Sequence, residues 1–400
     1  MRCVSSRSVT VSVNAGDRRS IVVYSMPYWL AIGVVIGIVG PTLESIRSDF
    51  DLTYTAVSSL FLAMTLGHVV GTITGGLASD RIGRRTTLSF GVVLFMIGLA
   101  TCGFTPALGV FVVGAIIYGV GFGMSDATLT AAIRDASDHA VGRALTLSQI
   151  PVGVGALVAP PIVSVLLQTY LGWRGAYLGA AAVVGLAALL MALVRFPEHG
   201  ASRTKIRGSL RAATRPVPIL LGAVVSMYFG IEIGFSGFLP AHLEATLNFD
   251  RSHATAAVAV YWAGLFFGRV LGVWLASRVQ PYDLAAGSLS LALVAALITA
   301  ATPHTVVILI SVMFAGVAIG PLFTIVMGIG VRDNPATAGS IAGLILAIGG
   351  LSSVGLWLFM GVVADALSVQ AAIGLVPLFM GTGLVFLLLA RTHQKSRDIA

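Results

Sequence analysis

The chain is expected to be an all-α membrane protein, with twelve transmembrane helices in two pseudo-symmetric bundles of six, and three observations carry that expectation. Composition is the first: 57% of the 400 residues are hydrophobic, only 10% are charged, and mean hydropathy is +0.96. A soluble domain of this length carries far more charge. The second is that apolar runs long enough to cross about 30 Å of hydrocarbon, at about 1.5 Å per residue, recur from end to end. The third is internal repetition. Gly33, Gly37, Gly40, Gly67, Gly71, Gly75, Gly119, Gly123, Gly142 and Gly153 map without a gap onto Gly230, Gly234, Gly237, Gly264, Gly268, Gly272, Gly316, Gly320, Gly339 and Gly350, 197 residues further on.

The elements follow in chain order. Residues 1–23 are polar and Arg-bearing, without the apolar core and cleavage site of a secretory signal, and are expected to form a cytoplasmic tail. The N-terminal bundle, 24–195, holds spans at 24–45, 55–78, 86–104, 109–133, 144–169 and 174–195. His68 in the second span reads as a packed polar residue before it reads as a ligand. Cys102 in the third and Cys3 in the tail are too few and too distant for a disulfide framework. Pro160 and Pro161 bend the fifth span and free backbone groups that must find partners. A basic linker, 196–216, lies near anionic headgroups. The C-terminal bundle, 217–390, holds spans at 217–241, 254–277, 283–302, 305–330, 337–364 and 370–390, and 391–400 forms a second cytoplasmic tail. Each span should be helical, because unpaired backbone groups cannot face lipid and the runs lack the two-residue alternation of a barrel.

Charge sets the orientation. With the N-terminus in the cytoplasm of a cell bounded by a plasma (inner) membrane, 20 of the 24 Lys and Arg fall on the inner side; Arg47, Arg174 and Arg251 fall outside and Arg269 lies within a span. That bias places both termini inside. The net charge of +8 is thus a topology signal. A nucleic-acid partner is excluded, since the basic residues are scattered over short loops instead of forming a patch. Cysteines introduced at Ser202 and Ala336 should react with an impermeant maleimide only from the cytoplasm, and one at Ser252 only from outside. Labelling of Ser252→Cys from the inner side would overturn the twelve-span topology.

The loop after the second span carries the most specific motif, Gly76-Leu77-Ala78-Ser79-Asp80-Arg81-Ile82-Gly83-Arg84-Arg85. Its glycines permit a tight turn, and a carboxylate at a helix end can face a helix N-terminus or pair with Arg. The run resembles the Gly-x-x-x-Asp-Arg-x-Gly-Arg-Arg loop of the major facilitator superfamily, and that resemblance covers about residues 24–392. It implies a gating role for Gly76, Asp80, Arg81, Gly83, Arg84 and Arg85, as a latch that holds the inner side closed. The second repeat keeps Arg278 in place of Arg81 but has Ser277 in place of Asp80. Gly67, Gly71 and Gly75 in the second span, with Gly264, Gly268 and Gly272 in the eighth, form small-residue stripes. These suit either helices that rock at the interface between the halves or static packing.

Three ionisable residues lie deep in apolar spans, where each costs roughly 2.5 to 3.5 kcal/mol to insert. They are Asp126 in the fourth, Glu232 in the seventh and Arg269 in the eighth. Counting along the helices puts Asp126 and Arg269 toward the cytoplasmic side and Glu232 nearer the outer third. Asp126 is therefore a proton or substrate site, a structural partner of Arg269, or a helix-end residue. Glu232 is a cavity carboxylate or a satisfied structural one, and Arg269 is expected to be structural. The segments Tyr118 to Asp126, Ser148-Gln149 with Gly153 and Gly155, Tyr228 to Phe238, and Tyr261 to Arg269 resemble the fucose and hexose proton-symporter branch. That resemblance implies that Asp126 carries the proton. The branch's acid on the first span has no counterpart in Ile38-Val39-Gly40-Pro41. Drug and antiporter branches fit less well, since Ala115 and Ala159 replace their helix-four arginine and helix-five glycine.

The expected function is secondary active transport of a small-molecule solute by alternating access, with proton-coupled uptake ahead of proton-antiport efflux of drugs or metabolites and of passive facilitation. Gln149, Tyr228, Glu232 and Trp262 would bind the solute, while Asp126, with Glu232 as the second candidate, would exchange the proton. Protons, the solute and the lipid bilayer are the expected partners of a monomer. No nucleophile elbow, phosphate loop or metal-ligand spacing is present, so no cofactor, metal or enzymatic activity is expected.

Overall fold

The structure is a computed structural model that describes residues 15–136, 141–192, 216–332 and 338–399. The tail up to residue 14 and all but the last residue of the 196–216 linker lie outside the described residues. The N-terminal half contains α1 (Ala15–Asp49), α2 (Tyr54–Ile82), α3 (Arg84–Phe104), α4 (Leu108–Ala136), α5 (Val141–Leu166) and α6 (Gly172–Ala192). The C-terminal half contains α7 (Pro216–Leu247), α8 (Arg251–Ala276), α9 (Pro281–Ala301), α10 (Thr305–Ile319), α11 (Leu322–Arg332), α12 (Ala338–Ala366) and α13 (Val369–Ile399).

Eleven of these segments are long and apolar enough to cross a membrane, with Thr305–Arg332 taken as one, and α5 adds a shorter apolar stretch, Ile150–Leu166. The chain is a multi-pass, all-α membrane protein. The tenth span differs from expectation in not being a single helix. It breaks at Gly320–Pro321, where proline has no N–H for the helical ladder and its ring crowds the preceding turn. Local chemistry sets several ends. Thr53 caps α2 by accepting from the Ala56 N–H at 3.1 Å. Asp250 caps α8 by accepting from Ser252 and His253 N–H groups, and the His253 backbone and ring hold its carboxyl below the usual range. Gly83, at φ +91°, is the whole turn between α2 and α3.

The glycine stripes of α2 and α8 mark where helices touch closely within each half. A Cβ on Gly67, Gly71 or Gly75 of α2 would meet the α4 main chain at Ile116, Val120 or Met124; on Gly264 and Gly268 of α8 it would meet Met313 and Val317 of α10, and on Gly272 the ring of Pro321. Contact partners shift by the same 197 residues as the glycines themselves. The reciprocal glycines obey the rule too. Gly119 and Gly123 lie on Met64 and His68 of α2, and Gly316 and Gly320 on Tyr261 and Leu265 of α8. The stripes therefore do not lie at the interface between the halves. They fix α2 to α4 and α8 to α10 because only a hydrogen at Cα lets two helical backbones come this close.

The halves meet instead through α1 with α7, α2 with α12, and α5 with α8. The last two contacts are equivalents under the repeat. Near the middle, Phe266 of α8 rests on Gly153 of α5, and Phe61 of α2 packs on Trp357 of α12 with centroids 3.6 Å apart. Polar contacts between the halves among the described residues gather at the end remote from the chain termini. Asp365 of α12 accepts the Tyr54 and Thr55 N–H groups at the start of α2, both at 2.7 Å. Ser252 bonds Ser164 at 2.8 Å and accepts from Gln168 at 2.7 Å, while Arg251 approaches Glu44 at 4.0 Å. A carboxylate on a helix N-terminus is favourable on both hydrogen-bond and dipole grounds. The remote end is closed.

Candidate functional site

Two polar sites lie in the membrane interior, one in each half. In the C-terminal half, Tyr228 and Glu232 stand one turn apart on α7 and meet Arg269 of α8. The Tyr228 hydroxyl donates to Glu232 Oε1 at 2.7 Å. Arg269 Nη2 donates to the same oxygen at 3.1 Å and to the Tyr228 hydroxyl at 3.3 Å. Phe323 of α11 stacks on the Tyr228 ring at 5.7 Å. The Glu232 side chain is 11% exposed, whereas a third of Arg269, 32%, remains accessible. Trp262 lies two turns from Arg269 on the same side of α8 as Phe266, which reaches the other half. Trp262 is buried, and its Nε1–H has no hydrogen-bond partner.

Of the alternatives for Asp126, this arrangement removes a pairing with Arg269. Arg269 is an ion-pair partner, but of Glu232. The difference comes from depth. The seventh span, expected to end at 241, runs on to Leu247, which moves Glu232 from the outer third to the middle of α7 and level with the reach of an arginine on α8.

In the N-terminal half, Asp126 sits on α4 next to Ser125. The Ser125 hydroxyl donates to the Gly121 carbonyl at 2.6 Å and is hydrogen-bonded to the Tyr28 hydroxyl of α1. Among the described residues, Asp126 itself forms no hydrogen bond or ion pair. It is an acid in an apolar helix without a countercharge among the described residues. The repeat places Phe323, which stacks on Tyr228, at the position equivalent to Asp126.

Of the other expected contacts, the side chain of Gln149 lies outside the described residues, although its backbone is part of α5. The same holds for the side chain of Asp80, the last but two residue of α2. Around it, Arg84 donates from Nη1 to the Ser79 hydroxyl at 2.9 Å and is buried, while Arg81 is exposed. Gly83 forms the turn, but Gly76 lies within α2 with open space where a Cβ would stand, so it does not shape the turn. No cluster of His, Cys, Asp and Glu suited to a metal occurs among the described residues.

Relatives identify the architecture. A family model described as Major Facilitator Superfamily matches residues 29–356. The chain belongs to that superfamily. A probable nitrate/nitrite transporter NarK2 of Mycobacterium tuberculosis is 25% identical over 374 residues, covering 90% of this chain and 92% of that protein. The arabinose-proton symporter of Escherichia coli is 29% identical over 166 residues, 41% of this chain and 34% of that one. The fold matches a bacterial homolog of the human lysosomal transporter Spinster with a TM-score of 0.76 at 16% identity, covering 94% and 96% of the two chains. It matches the fucose:proton symporter of Escherichia coli with a TM-score of 0.64 at 18% identity, covering 93% and 98%. The superfamily member described here is a solute transporter and not an enzyme.

Sequence reasoning missed two participants. Tyr28 lies in the first apolar span and is tied to the residue beside Asp126 only through the α1 to α4 crossing, for which the sequence holds no spacing signal. Tyr261, next to Trp262, is fully buried with an unpartnered hydroxyl; its signal was a polar aromatic pair within a span.

Proposed function

We propose that this transporter takes up a small polar solute together with protons, across a plasma membrane and with both termini in the cytoplasm. The observation that carries the reading is the contrast between two carboxylates inside membrane spans, Asp126 without a countercharge among the described residues and Glu232 held by Arg269. An ionised Asp126 cannot be occluded in hydrocarbon cheaply, so the carrier closes around it when it is protonated and opens to release the proton. Tyr228, Glu232, Trp262 and Gln149 are the proposed solute contacts. The loop from Gly76 to Arg85 is the proposed latch on the cytoplasmic side, opposite the closed end built by Asp365, Ser252 and Arg251. Proton symporters among the relatives support uptake over efflux. The carrier is proposed to act as a monomer in the bilayer.

Proteoliposomes loaded with the pH dye pyranine test this directly. Addition of a panel of sugars, carboxylates and nitrate outside should acidify the lumen for at least one solute, and an inward proton gradient should drive that solute in. Solute-driven alkalinisation of the lumen would mean antiport, and transport indifferent to gradients of either sign would mean a facilitator.

A further inference from the structure

The site in the C-terminal half has a lopsided inventory of hydrogen-bonding groups. Its donors are the Tyr228 hydroxyl, the Arg269 guanidinium and the unpartnered Tyr261 hydroxyl, and its one acceptor of charge is Glu232. Arg269 uses only Nη2 toward protein; among the described residues its Nη1 and Nε find no acceptor, and a third of the side chain is open. Both forked edges of the guanidinium, Nε with Nη2 and Nη1 with Nη2, include the nitrogen that Glu232 and Tyr228 now engage, so a pair of parallel N–H groups for a planar group with two oxygens becomes available once Glu232 lets go.

Charge decides when such a group can enter. The helices against α7 are α1, α8, α11, α12 and α13. The charged residues of α1 nearest by sequence, Glu44 and Arg47, pair with each other at the remote end; Asp365 of α12 lies at that end too, and Arg332 of α11 and Arg391 of α13 at the opposite one. Only Arg269, Tyr228 and Tyr261 therefore face Glu232 among the described residues. With Glu232 ionised, the site is neutral, and an added anion would be an uncompensated charge in a low-dielectric interior. A proton on Glu232 leaves Arg269 as a free cation and releases the Tyr228 hydroxyl from its acceptor. A monoanion then restores neutrality.

We infer that this site takes a small planar monoanion, an inorganic oxyanion or a short carboxylate, held by Arg269 and Tyr228, and that it does so only when Glu232 has taken up a proton. One proton and one anion bind together and leave together. The inference rests on the proposed solute site and names its substrate class.

Binding can be measured by titration calorimetry on the full chain in nanodiscs, in chloride-free sulfate buffer, with sodium nitrate and sodium formate as monoanions and urea and xylose as neutral probes. Nitrate, formate or both should bind, roughly tenfold or more tightly at pH 5.5 than at pH 8.0. The two salts separate the inorganic source from the carboxylate. Glu232→Gln should bind the same anion with a pH ratio near one, and Arg269→Gln should lose it. Should either variant fail to fold, the pH dependence of the unmodified chain is the decisive readout. Absence of monoanion binding at pH 5.5, or binding of equal strength at both pH values, overturns the inference. Xylose binding without nitrate or formate binding also overturns it, and leaves the proton-coupled carrier standing. A silent pyranine assay with pH-dependent anion binding intact sinks proton-coupled transport and supports the site.

Discussion

Asp126→Asn is expected to cut accumulation driven by a proton gradient to what the proton on Glu232 alone sustains, while solute exchange across the membrane continues. The amide has the shape and neutrality of a protonated carboxyl but cannot release a proton, so the carrier is locked in its proton-loaded form and still cycles with solute bound. The structure sharpens the expectation about stability. Arg269 already has Glu232, so removing the charge of Asp126 strands no cation, and melting of the purified variant should shift by no more than about 1 kcal/mol equivalent. Gradient-driven uptake and counterflow of a labelled solute, measured in the same vesicles, separate the two activities. Intact accumulation would remove Asp126 as the proton carrier and move the role to Glu232.

Gly268→Val is expected to prevent folding altogether. A Cβ at that position would stand 2.2 Å from the Val317 carbonyl oxygen, and the equivalent Cβ on Gly71 would stand 2.0 Å from that of Val120. These obstacles are main-chain atoms of a neighbouring helix and cannot rotate aside. Ordinary overpacking costs about 1 to 3 kcal/mol, and forcing two backbones apart along a whole crossing exceeds that range. Gly287→Ala on α9, where nothing lies within 4 Å of the new atom, serves as the contrast and should be neutral or stabilising by about 0.5 to 1 kcal/mol. Size-exclusion profiles before and after heating report both. A Gly268→Val protein that elutes and melts like the parent would show that the α8 to α10 contact is looser than described.

The repeat and the spans were legible because both are written in one dimension: apolar length gives the spans, and a constant glycine offset gives the two halves. What the glycines touch was not. Equivalence under the repeat says that Gly71 and Gly268 do the same thing, but not that each faces its own half, since that depends on which helices cross. The Glu232 to Arg269 pair was hidden for a different reason. Depth was counted from a span edge at 241, and polar residues such as His242 and Glu244 had masked the true end of α7 at Leu247. Six residues are about 9 Å of helix, enough to hide a partner. Gly83 in its turn was readable from motif spacing, whereas Gly76, from the same motif, occupies an open helical position that spacing alone could not reveal.

The ion pair at the centre of the C-terminal half joins consecutive helices separated by only residues 248–250. That adjacency bears on how the protein is made. Glu232 emerges from the ribosome before Arg269, and an isolated α8 would enter the bilayer with an arginine two turns from its C-terminal end, at a cost of up to roughly 2.5 to 3.5 kcal/mol. Leaving the translocon as a hairpin with α7 lets the two charges cancel before either meets lipid, so the pair serves biogenesis as well as the finished carrier.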